Sequence, residues 1–123
     1  MNVLFLYGSE QGNFDEEEKT NHSGHWRAFY AESTLQAMDI VTNHSIDVIV
    51  ADIQNPTEDT KFLAKMKHKY PEIGRISLAG NNSFSSGCLA WPIVHQHIEK
   101  PYSPNSLRMK IYSVVSSLKS NHN

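Results

Sequence analysis

The sequence predicts an α/β fold of the doubly wound kind, a parallel sheet with helices on both faces. Three observations carry this. Asp47-Val48-Ile49-Val50-Ala51-Asp52-Ile53 is a nearly unbroken apolar run rich in branched residues, as expected of a strand buried on both faces at the centre of a parallel sheet. Short runs of this sort alternate along the chain with stretches whose apolar residues recur at helical spacing. The length, 123 residues, suffices for one domain with a real core and leaves little room for a second.

Taken in order, Val3-Leu4-Phe5-Leu6-Tyr7 is a first strand ending at Gly8. Ser9 to Gly24 is polar, carries Asp15-Glu16-Glu17-Glu18-Lys19, and has Phe14 as its only large apolar side chain. It lacks the apolar stripe that a sheet-packed helix needs, so the first helix is expected to be weak or disordered. Trp26-Arg27-Ala28-Phe29-Tyr30-Ala31 reads as the second strand. Ser33 is placed to cap a helix whose buried face is expected to comprise Leu35, Ala37, Met38, Ile40 and Val41. The central strand ends in a carboxylate, Asp52, and Pro56 stops further pairing. A helix starting at Thr57 or Asp59 carries Phe62, Leu63 and Met66 and ends at Tyr70-Pro71. Gly74 to Gly80 forms a fourth strand; a short helix is expected from about Ser85 to Trp91. Ile93 to Ile98 is a short fifth strand. Pro104 opens a last helix with the stripe Leu107, Ile111, Val114, Val115 and Leu118. The polar end from Ser116 resembles a linker, so the domain is expected over residues 1–119, with 120–123 as a tail.

Composition excludes several function classes. Eleven basic and 13 acidic residues, net charge -2, leave no nucleic-acid footprint. There is no apolar run of membrane-spanning length. Residues 2–7 are apolar but lack the flanks of a signal peptide. A lone cysteine, Cys88, can form no internal disulfide and fits a reducing cytoplasm.

Ala51-Asp52-Ile53-Gln54-Asn55-Pro56 resembles the phosphoacceptor motif of response-regulator receiver (CheY-like) domains, with Asp52 at the acceptor position. The Glu58-Asp59 pair suits the same family, although Thr60 stands where a glycine is usual. Lys100-Pro101 resembles the Lys-Pro pair that ends the fifth strand, joined in the family by a cis bond. The match spans essentially the whole chain. It implies the flavodoxin-like strand order 2-1-3-4-5 in a five-stranded parallel sheet. Arg75 to Gly80, with His95 to Pro101, is similar to receivers that precede HD-type output domains.

The departures bear on function. At the end of the first strand the family carries two acids that hold Mg²⁺; here the positions are Tyr7 and Gly8. At the end of the fourth strand a hydroxyl normally contacts the phosphoryl group; here it is Ala79. Phosphoryl transfer to a carboxylate joins two anions, so a divalent cation and a positive side chain must offset the charge. Mg²⁺ takes octahedral oxygen ligands, and Asp52 with the Gln54 carbonyl is a thin set. Lys100 can pair with Asp52 across the pocket.

The resemblance so read implies a non-enzymatic pseudo-receiver of bacterial two-component (phosphorelay) signalling. It would dock to an output domain, to another signalling protein, or to a second copy through the last two strand-helix units, where Trp91, Ile98 and Tyr102 are the apolar candidates. No cofactor is expected on this reading. The alternative is a working phosphoacceptor, with Asp52 and Mg²⁺ engaged; His97, at the position that matches the family's switch aromatic, is a candidate to sense pH instead. A remoter alternative is flavin binding, since Tyr7-Gly8-Ser9-Glu10-Gln11-Gly12-Asn13 resembles a flavodoxin phosphate loop, although Glu10 and Asp15 would repel phosphate. His95 and His97 share one side of a strand, as a metal pair would, but a third ligand is not evident.

Overall fold

The computed structural model describes residues 1–6, 27–79, 93–99 and 102–120. Five strands, β1 (Asn2–Leu6), β2 (Arg27–Ala31), β3 (Val48–Asp52), β4 (Gly74–Ala79) and β5 (Gln96–Glu99), form one all-parallel sheet in the order β2-β1-β3-β4-β5. The described helices are α1 (Thr34–Asn43), α2 (Pro56–Lys69) and α3 (Pro104–Ser120). The expected Ser9–Gly24 segment and Ser85–Trp91 helix lie outside the described residues.

Side-chain alternation along the strands builds two cores. Leu4, Leu6, Ile49 and Ala51 point to the face covered by α1 and α2, where Ala37, Val41, Phe62, Leu63 and Met66 meet them. Val3, Phe5, Val48, Val50, Ile76 and Leu78 point to the other face and pack on Leu107, Ile111 and Val114 of α3. Every residue of β3 is buried, as its unbroken apolar run predicts for a central strand. Gly74 is required by close approach: a Cβ there would lie 2.6 Å from Val114 Cγ1.

The helix caps follow from local chemistry. Ser33 Oγ accepts from Gln36 N at 3.0 Å, and Gln36 Oε1 reaches back to accept from Glu32 N at 2.7 Å. In α2 the start is earlier than the sequence reading placed it. Asn55 is the cap, its Oδ1 accepting from Glu58 N at 3.2 Å, and Pro56 enters the first turn, where its missing N–H costs nothing. Glu58 and Asp59 at the start of α2, and Lys67, His68 and Lys69 at its end, complement the helix dipole.

Three expectations are corrected. Leu35 is 81% exposed; it lies about 160° around the helix from buried Ala37, so the stripe that faces the sheet passes it by. The fifth strand starts at Gln96 rather than Ile93, because the His95 ring, not a backbone carbonyl, accepts from Arg75 N at 3.0 Å, and the regular ladder begins beyond it. The polar end from Ser116 is not a linker at its start, since α3 continues through Ser120.

Candidate functional site

Crossover connections in a parallel sheet leave the carboxyl ends of the strands open to ligands, and Asp52 is the last residue of β3 on that edge. It is nearly enclosed, 1% exposed. Ala79 ends β4 beside it, also buried, and offers a methyl group where a hydroxyl would be needed for a hydrogen bond. The segment after Asp52 is held from two sides. Ile53 N donates to Leu78 O at 2.9 Å, while Asp59 Oδ2 accepts from Gln54 N and from Asn55 N, each at 2.9 Å. Asp59 is fully buried, so a carboxylate from the first turn of α2 fixes the loop that carries the site. Gln54 is exposed; its backbone belongs to the loop and its side chain lies at the surface.

Sequence reasoning missed one contributor. Tyr102, a candidate for an apolar docking face for which plain packing is the simpler reading, is half-buried against the α3-side core, and its relation to Asp52 was not foreseen. Burial pushes its phenol up to about 12, and the Asp52 carboxylate adds to the effect. The two side chains therefore sense each other across the carboxyl edge, a pairing that two residues fifty positions apart do not announce. Ile98, the second candidate for that face, is buried at 7% exposure in the same core, in line with the plain-packing reading. The four residues of β5 alternate faces, and Ile98 falls on the inner one. Tyr7, Gly8, Lys100, Pro101 and Trp91 lie outside the described residues, as does the phosphate-loop-like segment.

Along the β4–β5 seam, polar side chains reinforce the backbone ladder. Ser77 Oγ and His97 Nδ1 lie 2.7 Å apart, and the two residues are direct register partners. One step along, Arg75 is buried, its Nε donating to Ile93 O at 2.7 Å and its Nη1 to Ile73 O at 2.9 Å. His95 N donates to Arg75 O at 2.8 Å. Burial first, then the Arg75 and Lys67 charges, hold the His95 ring below its ordinary value, in keeping with an Nδ1 that accepts a backbone N–H. Both imidazoles thus spend Nδ1 on fastening β5. Among the described residues no three His, Cys, Asp or Glu side chains converge as a metal cluster would.

No family model and no curated protein matches the sequence. Solved structures do. The response regulator receiver domain protein (CheY-like) from Methanospirillum hungatei JF-1 aligns over 98% of this chain and 97% of its own, at TM-score 0.83 and 18% identity. The signal receiver domain of an HD domain-containing protein from Pseudomonas fluorescens Pf-5 gives TM-score 0.82 at 17% identity, over 98% of this chain and 90% of that one. The REC domain of AraT, a response regulator from Geobacillus stearothermophilus, gives 0.77 at 21%, over 99% and 98%. The five-stranded 2-1-3-4-5 sheet and its flanking helices are thus those of a flavodoxin-like, CheY-like receiver fold.

Proposed function

We propose that the chain is a pseudo-receiver: a receiver-type module of two-component signalling that acts by docking to a protein partner. The observation that carries this is the state of Asp52. It is shut in at 1% exposure, beside the Tyr102 phenol and the Ala79 methyl group. A phosphoryl group on Asp52 would need a hydrogen-bond donor at the end of β4 and a cation to offset its charge. Ala79 cannot donate. The donor set does not suit Mg²⁺ of the usual kind either: Tyr7 and Gly8 bring no carboxylate, and Asp59 is committed to the Gln54 and Asn55 amides. On this reading the module has no catalysis of its own and takes no cofactor, and its partner is an output domain or another signalling protein. The neighbour from Pseudomonas fluorescens, a receiver domain of an HD domain-containing protein, supports an output domain of that type. The proposal places the module in the cytoplasm, where phosphorelays operate; no described helix is long and apolar enough to cross a membrane.

The second reading, a working phosphoacceptor, is favoured by Asp52 standing at the carboxyl end of β3 and by Lys100 in the sequence. The two are separated by titrating Mg²⁺ and then beryllofluoride, a phosphoryl mimic, while amide NMR spectra are recorded. A pseudo-receiver gives no saturating shifts at Asp52, Ala79 and Lys100. Saturating shifts centred on those residues refute it and establish the phosphoacceptor.

A further inference from the structure

Between α1 and α2 lies a groove of about 350 Å³ lined by Leu35, Met38 and Phe62, with Thr34 on the α1 side and Glu58, Lys61 and Lys65 on the α2 side, where the two lysines outweigh the one carboxylate. None of its lining residues belongs to the β5–α3 surface. Two features are unusual for a solvated helix pair. Leu35 projects at 81% exposure, and Lys61 and Lys65 have no carboxylate partner among the described residues. The α1 wall carries the opposite charge. Asp39 is exposed one turn beyond Leu35 on the same stripe.

We infer that this groove is a self-association surface, in which Leu35 of each copy enters the groove of the other and Asp39 of each copy lies between Lys61 and Lys65 of the other. The geometry selects this pairing. Both helices are right-handed crossovers on one face of a parallel sheet, so they run parallel to each other. Thr34 Oγ1 donates to Glu58 Oε2 at 3.0 Å, which sets residues 24 apart in sequence level with one another; Met38 and Phe62, which share the groove, obey the same offset. A two-fold axis along the helices lays α1 of one copy over α2 of the other without changing level. Asp39 then stands level with position 63, about 3 Å of helical rise from both Lys61 and Lys65. The other two-fold, across the helices at the level of Asp39, would set Asp39 against Asp39 and the lysines against lysines, which like charges disfavour. The charge pattern therefore matches a second copy of this chain better than an acidic peptide, which would leave Asp39 opposed.

The test is sedimentation velocity of the full chain from about 10 µM to about 1 mM, a range suited to a small interface. The mass should rise toward that of two chains, less so at high salt. Leu35→Asp, at an exposed position in the first helical turn where an acid is tolerated, should weaken association by at least about tenfold with an unchanged circular dichroism spectrum. The double variant Lys61→Glu, Lys65→Glu should weaken it comparably, and adding Asp39→Lys should restore it. Met109→Asp, on the exposed side of α3, should leave it intact. A single-chain mass at every concentration overturns the inference. So does a dimer that survives Leu35→Asp or is broken by Met109→Asp. The Mg²⁺ and beryllofluoride titration is independent of all these outcomes.

Discussion

Replacing Asp59 tests how the loop behind the site is held. Its carboxylate is fully buried and accepts two backbone N–H groups, Gln54 and Asn55, each at 2.9 Å. Asp59→Ala leaves both donors without that acceptor. Each stranded N–H costs about 1–3 kcal/mol, so the loss expected is about 4 kcal/mol, a large part of a small domain's stability. Asp59→Asn keeps an oxygen in place and removes the charge. Charge-assisted bonds are roughly twice as strong as neutral ones, so two bonds falling from about 2 to about 1 kcal/mol each give a loss of about 2 kcal/mol. The order wild type, Asn, Ala should appear in urea unfolding followed by circular dichroism, as falling midpoints with an unchanged slope. The Gln54 and Asn55 amide resonances should move in the same order. An Asp59→Ala protein within about 0.5 kcal/mol of wild type would show that the loop does not depend on this carboxylate, and the account of the site's rigidity would fall.

Gly74→Ala places a methyl group 2.6 Å from Val114 Cγ1 and 3.1 Å from Val48 Cγ2, forcing α3 away from the sheet. A loss of about 1–3 kcal/mol in urea unfolding is expected, and an unchanged midpoint would contradict the close packing. His95 is held below its unfolded value of 6.5, so below that pH the unfolded chain binds the extra proton first and stability falls as the solution is acidified from about 6.5 toward the lowered folded value. His95→Asn, which keeps an acceptor for Arg75 N, should flatten that part of the stability–pH curve; an unaltered slope would assign it to other groups. Tyr102 should titrate near 12 by NMR of its ring, and Asp52→Asn should bring the midpoint only part of the way back toward 10, because burial is the larger cause. No response to Asp52→Asn would separate the two side chains.

What the sequence disclosed depended on whether a residue's partner lies nearby in the chain. Asp47 to Ile53 announced a central strand because burial on both faces requires an unbroken run, and the strand's end placed Asp52 on the carboxyl edge. Ser33 as a cap and the α3 stripe are likewise local patterns and appear as expected. Leu35 was misplaced because a ten-residue helix leaves its first turn free to lie off the buried arc. Asn55 was overlooked as a cap because Pro56 reads as a strand stop before it reads as a helix start. The Tyr102–Asp52 relation and the Arg75–His95 and Ser77–His97 clasps arise from packing between distant segments, and periodicity carries no trace of them. Asp52 as the candidate site residue was legible; the phenol whose ionisation it opposes was not.

The alternation of side chains along β1 and β3 has a consequence for how such a domain can change. One layer of backbone separates two apolar compartments, with Leu63 in the α1–α2 compartment and Ile111 in the α3 compartment. The sheet acts as a bulkhead. Truncations on opposite sides share no neighbours, so their costs should sum rather than compound. Either helical layer can therefore be recut for a new surface while the opposite one keeps the strands in register, provided that Asp59 in the one and Tyr102 beside the other, which act on the Asp52 edge, are kept.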